Sequence, residues 1–302
     1  MKVLSQYQIE GAENFEVSYF KEGEIKNYID INVDAIVCSR STAREILNYN
    51  FPNLKLVQLN SAGFEQIDLN KYRENGVDVC NAGATYSVCM AETIIFGILQ
   101  IEKRLRKNPN NRKFKIFRHY NEIGELKGKM AVTLGAGNIA TQVVKRLNSF
   151  DVECYGYDPF CVEKTEFRKL LRSREELNEI LPKADYVINT LPLLKDTEHF
   201  IDSDLLHHFK SSAVFINVGR IGSINTSDLY LALKRREISY AVLDMFEKFP
   251  NPLTNKFRRL KNVIVLPGVA AISKESKLNL KKLIGENLKK LSVGERPLNI
   301  IN

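Results

Sequence analysis

The stretch that most constrains this chain is Gly128-Lys129-Met130-Ala131-Val132-Thr133-Leu134-Gly135-Ala136-Gly137-Asn138-Ile139-Ala140. Residues 130–134 form an apolar run that stops at a glycine pair. A helical pattern follows, with Ile139, Val143, Val144 and Leu147 on one face. A second strand-like run, 152–157, ends in Asp158. Strand, glycine turn, helix, strand and acid in that order form a seat for a dinucleotide pyrophosphate on a helix N-terminus. Gly135 permits the tight turn, Gly137 lets the backbone approach phosphates, and Ala140 is small enough for the helix–strand contact. The backbone of Asn138 and Ile139 opens the helix and belongs to the same seat. Asp158 is placed to accept hydrogen bonds from both adenosine ribose hydroxyls. It repels a 2′-phosphate, so the expected cofactor is NAD rather than NADP.

The rest of the chain has to accommodate that unit. At 302 residues, about two domains are expected. Residues 1–10 lack a long apolar segment and no run reaches membrane-spanning length, which points to the cytoplasm and to no membrane partner. The formal charge is +8. Its lysines are scattered or lie on amphipathic patterns such as Lys277, Lys281, Lys282, Lys289 and Lys290. Without a basic–aromatic motif, a solvated helix face explains them better than nucleic acid does. The same charge attracts anionic substrates and cofactors. Five cysteines without a C-x-x-C spacing give neither a metal site nor a disulfide framework; Cys38, Cys80 and Cys154 read as buried small residues.

Before the glycine turn, strand-like runs at 16–20, 35–38, 54–59 and 77–80 alternate with helical patterns at 42–49 and 69–75. This alternation predicts a parallel sheet with right-handed crossovers. Ligands then sit at the carboxyl ends of the strands, which singles out the loops 39–41, 61–63 and 81–87. Residues 88–105 read as a long apolar helix, followed by a polar bridge at 106–115. Beyond Asp158, residues 164–180 read as mostly helical. Strands follow at 184–191, 213–218, 240–243 and 263–266, with helices at 202–209 and 227–236. A closing helix at 274–291 is long enough to return to the first domain.

Several of these segments together resemble the D-isomer-specific 2-hydroxyacid dehydrogenases, the group of glycerate, phosphoglycerate and D-lactate dehydrogenases. They are Asn60-Ser61-Ala62-Gly63 with Ile67-Asp68, residues 81–92, the Gly135 turn, Asn189-Thr190-Leu191-Pro192-Leu193 with Thr197, Ile216-Asn217-Val218-Gly219-Arg220, and Leu243-Asp244-Met245-Phe246. The resemblance implies an α/β chain in which an NAD-binding Rossmann domain, 93–272, is inserted in a flavodoxin-like parallel-sheet substrate domain, 1–92 with 273–302. It also implies an active site in the cleft, a homodimer and a small 2-keto or 2-hydroxy acid as substrate. Arg220 matches the arginine that binds substrate carboxylate and carbonyl. Ser61, Ala62 and Gly63 match a loop whose N–H groups hold the carboxylate. Arg40 matches a position that contacts a distal anionic group, or is a surface arginine. Leu191, Pro192 and Thr197 match the loop over the adenosine, and Val218, Gly219 and Arg220 itself the cofactor-binding segment at that strand's end. Asp244 matches the acceptor for the nicotinamide carboxamide, or caps a loop.

Two positions depart from the pattern. The family's proton-donating histidine follows a proline, where this chain has Pro267-Gly268. The glutamate that orients it precedes a proline, where this chain has Phe249-Pro250. Loss of both is self-consistent, because a buried carboxylate without its imidazole costs about 1–3 kcal/mol. Glu247 does not align with that glutamate. Tyr86 is either a substitute acid or an aromatic packed at a hinge, and His119, His199, His207 and His208 read as surface residues. Two functions remain open: an oxidoreductase with altered proton chemistry, or an NAD-binding sensor or scaffold.

Overall fold

The computed structural model describes the chain apart from residues 12, 30, 105–122, 245–255 and 267. The predicted bridge 106–115, and with it His119, Glu247, Phe249, Pro250 and Pro267, lies outside the described residues. The chain divides into two compact units, Met1–Tyr86 with Ile272–Asn302, and Ser87–Ala271.

The first unit holds β1 (Lys2–Ser5), β2 (Glu16–Tyr19), β3 (Ala35–Cys38), β4 (Leu56–Leu59) and β5 (Asp78–Cys80). All pair in parallel, in the order β2-β1-β3-β4-β5. β3 and β4 are buried at every residue, as strands covered on both faces must be. Side chains alternate between the two cores. Leu4, Ile36, Val57 and Val79 pack with Ala43 and Ile46 of α1 (Arg40–Ile46) and Tyr72 of α2 (Leu69–Glu74). Val3, Val37, Leu56 and Cys80 pack with Ile284 and Leu288 of the closing helix α8 (Lys274–Ser292). Each helix begins on a serine or aspartate whose side chain accepts a first-turn N–H: Ser39, Asp68 and Ser273.

The second unit holds β6 (Met130–Leu134), β7 (Glu153–Tyr157), β8 (Lys169–Leu171), β9 (Tyr186–Asn189), β10 (Val214–Asn217), β11 (Tyr240–Asp244) and β12 (Val263–Leu266). They form one parallel sheet in the order β12-β11-β10-β9-β6-β7-β8. Its helices are α3 (Ser87–Glu102), α4 (Asn138–Asn148), α5 (Arg174–Ile180), α6 (Ser203–His207) and α7 (Thr226–Lys234). The chain steps outward from β6 to β8, then returns to pair β9 on the other side of β6. The strand order therefore reverses between β6 and β9, which is where an open α/β sheet forms its ligand crevice. Among the described residues no helix is long and apolar enough to cross a membrane.

Two elements differ from the sequence expectation. β1 was not anticipated. The run 164–180 is not mostly helical: Lys169–Leu171 is an edge strand on β7, with Gly156 opposite Leu170. A Cβ at Gly156 would lie 2.7 Å from the Phe167 ring and 2.9 Å from Leu170 Cδ2, so glycine there makes room for the side chains packed on it. Residues 174–180 are helical as expected, as α5, and the charge before them is that of a protected sheet edge.

Candidate functional site

The Gly135 turn sits at the carboxyl end of β6, beside the reversal. Gly135 has φ +90°, and its N–H donates to Tyr157 O at 2.8 Å. A Cβ there would lie 2.9 Å from Thr190 Oγ1 in a backbone conformation that disfavours side chains, so only glycine fits. Gly137 is the N-cap of α4 and has extended backbone, so its being glycine is not a matter of φ. No side chain caps this helix, and open space surrounds the place where a Cβ would stand. The first-turn N–H groups of Asn138 and Ile139 have no intrahelical partners. Ala140 is fully buried where the helix meets the sheet. This open, uncapped cradle fits a pyrophosphate.

Asp158 follows β7 and is half-buried. Its Oδ2 accepts from Ala136 N–H at 3.1 Å, and its Oδ1 accepts from Phe160 and Cys161 N–H at 3.1 and 3.0 Å. Three of about four acceptor positions are therefore taken by backbone donors. The carboxylate thus ties its own loop to the glycine turn and keeps little capacity for two ribose hydroxyls.

Across the reversal, Asn189 organises the loops after β9 and β10. Its Oδ1 accepts Leu191 N–H, its Nδ2 donates to Asn217 and Ser223, and its carbonyl accepts Val218 and Gly219 N–H. A Cβ on Gly219 would lie 2.9 Å from Leu191 O, so the two loops touch through backbone. The side chains of Leu191 and Val218 point into the core, at 7% and 2% exposure, which leaves backbone as their only means of contacting a ligand. Thr197 Oγ1 donates to Pro192 O at 2.7 Å and accepts Leu194 N–H at 2.8 Å, closing that loop. Arg220 stands half-buried at the end of β10. Its N–H reaches Leu191 O, and its carbonyl accepts Ser223 Oγ at 2.7 Å.

Asp244, at the end of β11, is 3% exposed. Its two oxygens accept Val269 and Ala270 N–H, each at 3.0 Å. It anchors the loop that begins at Gly268, which has φ +71°. Gly268 thus occupies backbone that residues with a side chain rarely adopt. The described histidines lie elsewhere: His199 and His207 are exposed, and His208 follows α6 half-buried.

In the first unit, the carbonyls of the 61–63 loop all have donors. Ser61 O takes Ala82 N–H, Ala62 O takes Asn81 Nδ2, and Gly63 O takes Ser61 Oγ at 2.8 Å. The N–H groups of the same residues have no acceptor among the described residues. The carbonyls of this loop are thus engaged within the unit. Arg40 is ion-paired with Glu65, whose side chain is only 12% exposed. Tyr86 donates its hydroxyl to Asn60 O at 2.5 Å, and burial pushes its phenol above the ordinary value. Its proton is engaged, so it is not poised as an acid. Tyr7, just past β1, was missed with that strand; it accepts Asn60 Nδ2 at 2.8 Å, and burial pushes it up to about 12.

Residues 95–270 match the model of the D-isomer specific 2-hydroxyacid dehydrogenase NAD binding domain. The chain belongs to the D-isomer specific 2-hydroxyacid dehydrogenase family. The glyoxylate reductase of Thermofilum pendens is 31% identical over 258 residues, covering 83% of this chain and 76% of that protein. The D-3-phosphoglycerate dehydrogenase of Methanocaldococcus jannaschii is 29% identical over 290 residues, covering 93% of this chain. This chain spans about half of that relative's length, 54%. The holo D-mandelate dehydrogenase of Rhodotorula graminis has the same fold, with TM-score 0.83, 19% identity, and coverage of 100% of this chain and 97% of that one. The expected combination of Rossmann and all-parallel sheets is thereby established, and NAD is the family's cofactor.

Proposed function

We propose that the chain is an NAD-dependent oxidoreductase that interconverts a 2-keto and a 2-hydroxy acid. The observation that carries the reading is the uncapped α4 N-terminus behind the Gly135 turn, placed at the sheet's reversal. The cofactor domain is 93–272 and the substrate domain 1–92 with 273–302. Gly135, Gly137, Asn138 and Ile139 present backbone to the pyrophosphate, and Asp158 faces the adenosine ribose. Leu191, Pro192, Thr197, Val218 and Gly219 shape the rest of the seat, and Asp244 holds its far loop. When bound, the nicotinamide supplies or accepts the hydride. Arg220 binds and polarises the substrate carbonyl through a fork of fixed charge. The N–H groups of Ser61, Ala62 and Gly63 form the first unit's seat for a carboxylate. Arg40, held by Glu65, offers a distal anion less than a free guanidinium would. The functional form is a cytoplasmic homodimer, which light scattering checks.

Gly268 sets the rate. Without a general acid there, about 10²- to 10⁴-fold of rate is forgone. Incubation with NADH and a panel of 2-keto acids, followed at the nicotinamide absorbance, should give slow turnover. Arg220→Ala should lower kcat/KM by about 10²-fold or more while NADH binding persists. A glycine where the family has its proton-donating histidine favours one other reading, an NAD-binding sensor or scaffold. Firm NADH binding with no turnover on any acid would establish that reading and sink the enzymatic one.

A further inference from the structure

Asn60 touches two tyrosines of the first unit and uses them differently. Tyr86 donates its hydroxyl to Asn60 O at 2.5 Å, so its proton is spent. Tyr7 accepts from Asn60 Nδ2 at 2.8 Å, a contact that uses a lone pair of the phenol and leaves its proton. The Tyr7 O–H has no acceptor among the described residues. The phenol is half-buried, and burial, followed by the neighbouring Cys38, Glu22 and Tyr86, pushes its titration up to about 12. It therefore stays protonated near neutral pH and remains a donor.

Tyr7 also stands where a ligand is expected. It follows β1, and the first sheet reverses between β1 and β3. Open parallel sheets bind ligands at the carboxyl ends of the strands beside such a reversal. Ser5, fully buried, fixes the tyrosine's backbone in both directions: its Oγ donates to Tyr7 O at 2.6 Å and accepts Tyr7 N–H at 3.1 Å. Gln6 ties the same turn to its neighbours, through its N–H to Val37 O and its side chain to Ser39 N–H and Thr42 Oγ1. The acid nearby, Glu22, is engaged by the hydroxyls of Ser39 and Ser41. Asn60 precedes Ser61, so one hydrogen bond links the phenol to the residue before the 61–63 loop. A fixed O–H donor beside N–H groups that lack acceptors suits a carboxylate, which only accepts.

We propose that Tyr7 is a substrate-binding residue whose hydroxyl donates to the carboxylate of the acid seated on the 61–63 loop. This rests on the substrate seat proposed above and adds to its backbone donors a side chain supplied by the strand beside the reversal.

Calorimetric titration of the NADH-saturated full chain with oxamate, a non-reacting analogue of a 2-keto acid, tests it without requiring turnover. Tyr7→Phe removes one oxygen and keeps the ring. It should weaken oxamate about tenfold or more, the value of one hydrogen bond to a charged group, and leave the NADH Kd within about twofold. Tyr86→Phe loosens Asn60 from its other side without touching the spare proton, and should weaken oxamate less than about threefold. Unchanged oxamate affinity in Tyr7→Phe would overturn the proposal. So would an equal loss in Tyr86→Phe, which would assign the effect to the placement of Asn60, or an equal loss of NADH and oxamate in Tyr7→Phe. Wild-type protein that binds NADH but no oxamate would overturn the substrate seat itself and this proposal with it.

Discussion

Two helices of this chain begin beside the reversals of two parallel sheets, and only one of them is open to a ligand. α1 follows β3 at the point where the first sheet's order reverses, between β1 and β3. α4 follows β6 at the reversal in the second. The N-terminus of α1 is closed by its own sequence. Ser39 Oγ accepts Thr42 N–H at 3.3 Å, and Glu22 accepts the hydroxyl of Ser41 and, at 3.4 Å, that of Ser39. The N-terminus of α4 begins on glycine, has no cap and has no acid at its first turn. Topology makes both places eligible, and the cap residue decides between them. A serine takes the helix N–H and a carboxylate holds the serine hydroxyls in α1, where glycine leaves the donors of α4 to an anion.

That contrast can be broken at several points. The largest effect should come from Gly135→Val, which places a β-branched side chain at φ +90° against Thr190. NADH affinity should fall at least about 100-fold and stability by about 1–3 kcal/mol, read by titration and denaturant melts. Next in size is the response to alkali, which should reach both units. Burial pushes the Cys80 thiol of the first unit and the Cys154 thiol of the second up to about 12 from the ordinary value of 9.0, with Asp78 and Glu153 adding to the shift. The unfolded chain then loses these protons first, so stability is full below pH 9 and falls as pH rises toward 12. The slope is about 1 kcal/mol per pH unit for each thiol, and urea midpoints at pH 8, 9.5 and 10.5 measure it. A smaller difference should separate the units again. Saturating NADH should slow amide exchange in α4 and leave α1 unchanged. The smallest effect is expected from Ser39→Gly, which opens α1 at a cost of a few tenths of a kcal/mol. It should confer no nucleotide affinity on the first unit, because Glu22 remains.

What sequence made legible follows the same physics. β6, α4, β7 and Asp158 were readable because an apolar run, a glycine pair and a helical stripe are local signals. β3, β4 and β10 were readable because burial on both faces makes them apolar throughout. β1 was not, since four residues at the chain's start carry no periodicity, and with it went the first sheet's reversal and Tyr7. β8 was hidden because an edge strand of three residues is flanked by charge. The partners of the site residues were less legible than the residues themselves. Asp158 was read as a ribose acceptor, but the three N–H groups it holds depend on how the 158–161 loop folds back. Asp244 meets Val269 and Ala270 across 25 positions of sequence, and no spacing announces that. Arg40 reads as a free cation until Glu65 is placed beside it.

The most direct test is to give α4 the cap it lacks. Gly137 has extended backbone and open space around its missing Cβ, so aspartate fits there without strain. Gly137→Asp should raise stability by a few tenths to about 1 kcal/mol, as a carboxylate capping a helix N-terminus does. It should at the same time weaken NADH binding at least about 100-fold, the cost of placing a fixed anion where the pyrophosphate must sit. A more stable protein that no longer binds NADH is the predicted result. A Gly137→Asp protein that binds NADH as well as the wild type would contradict the account.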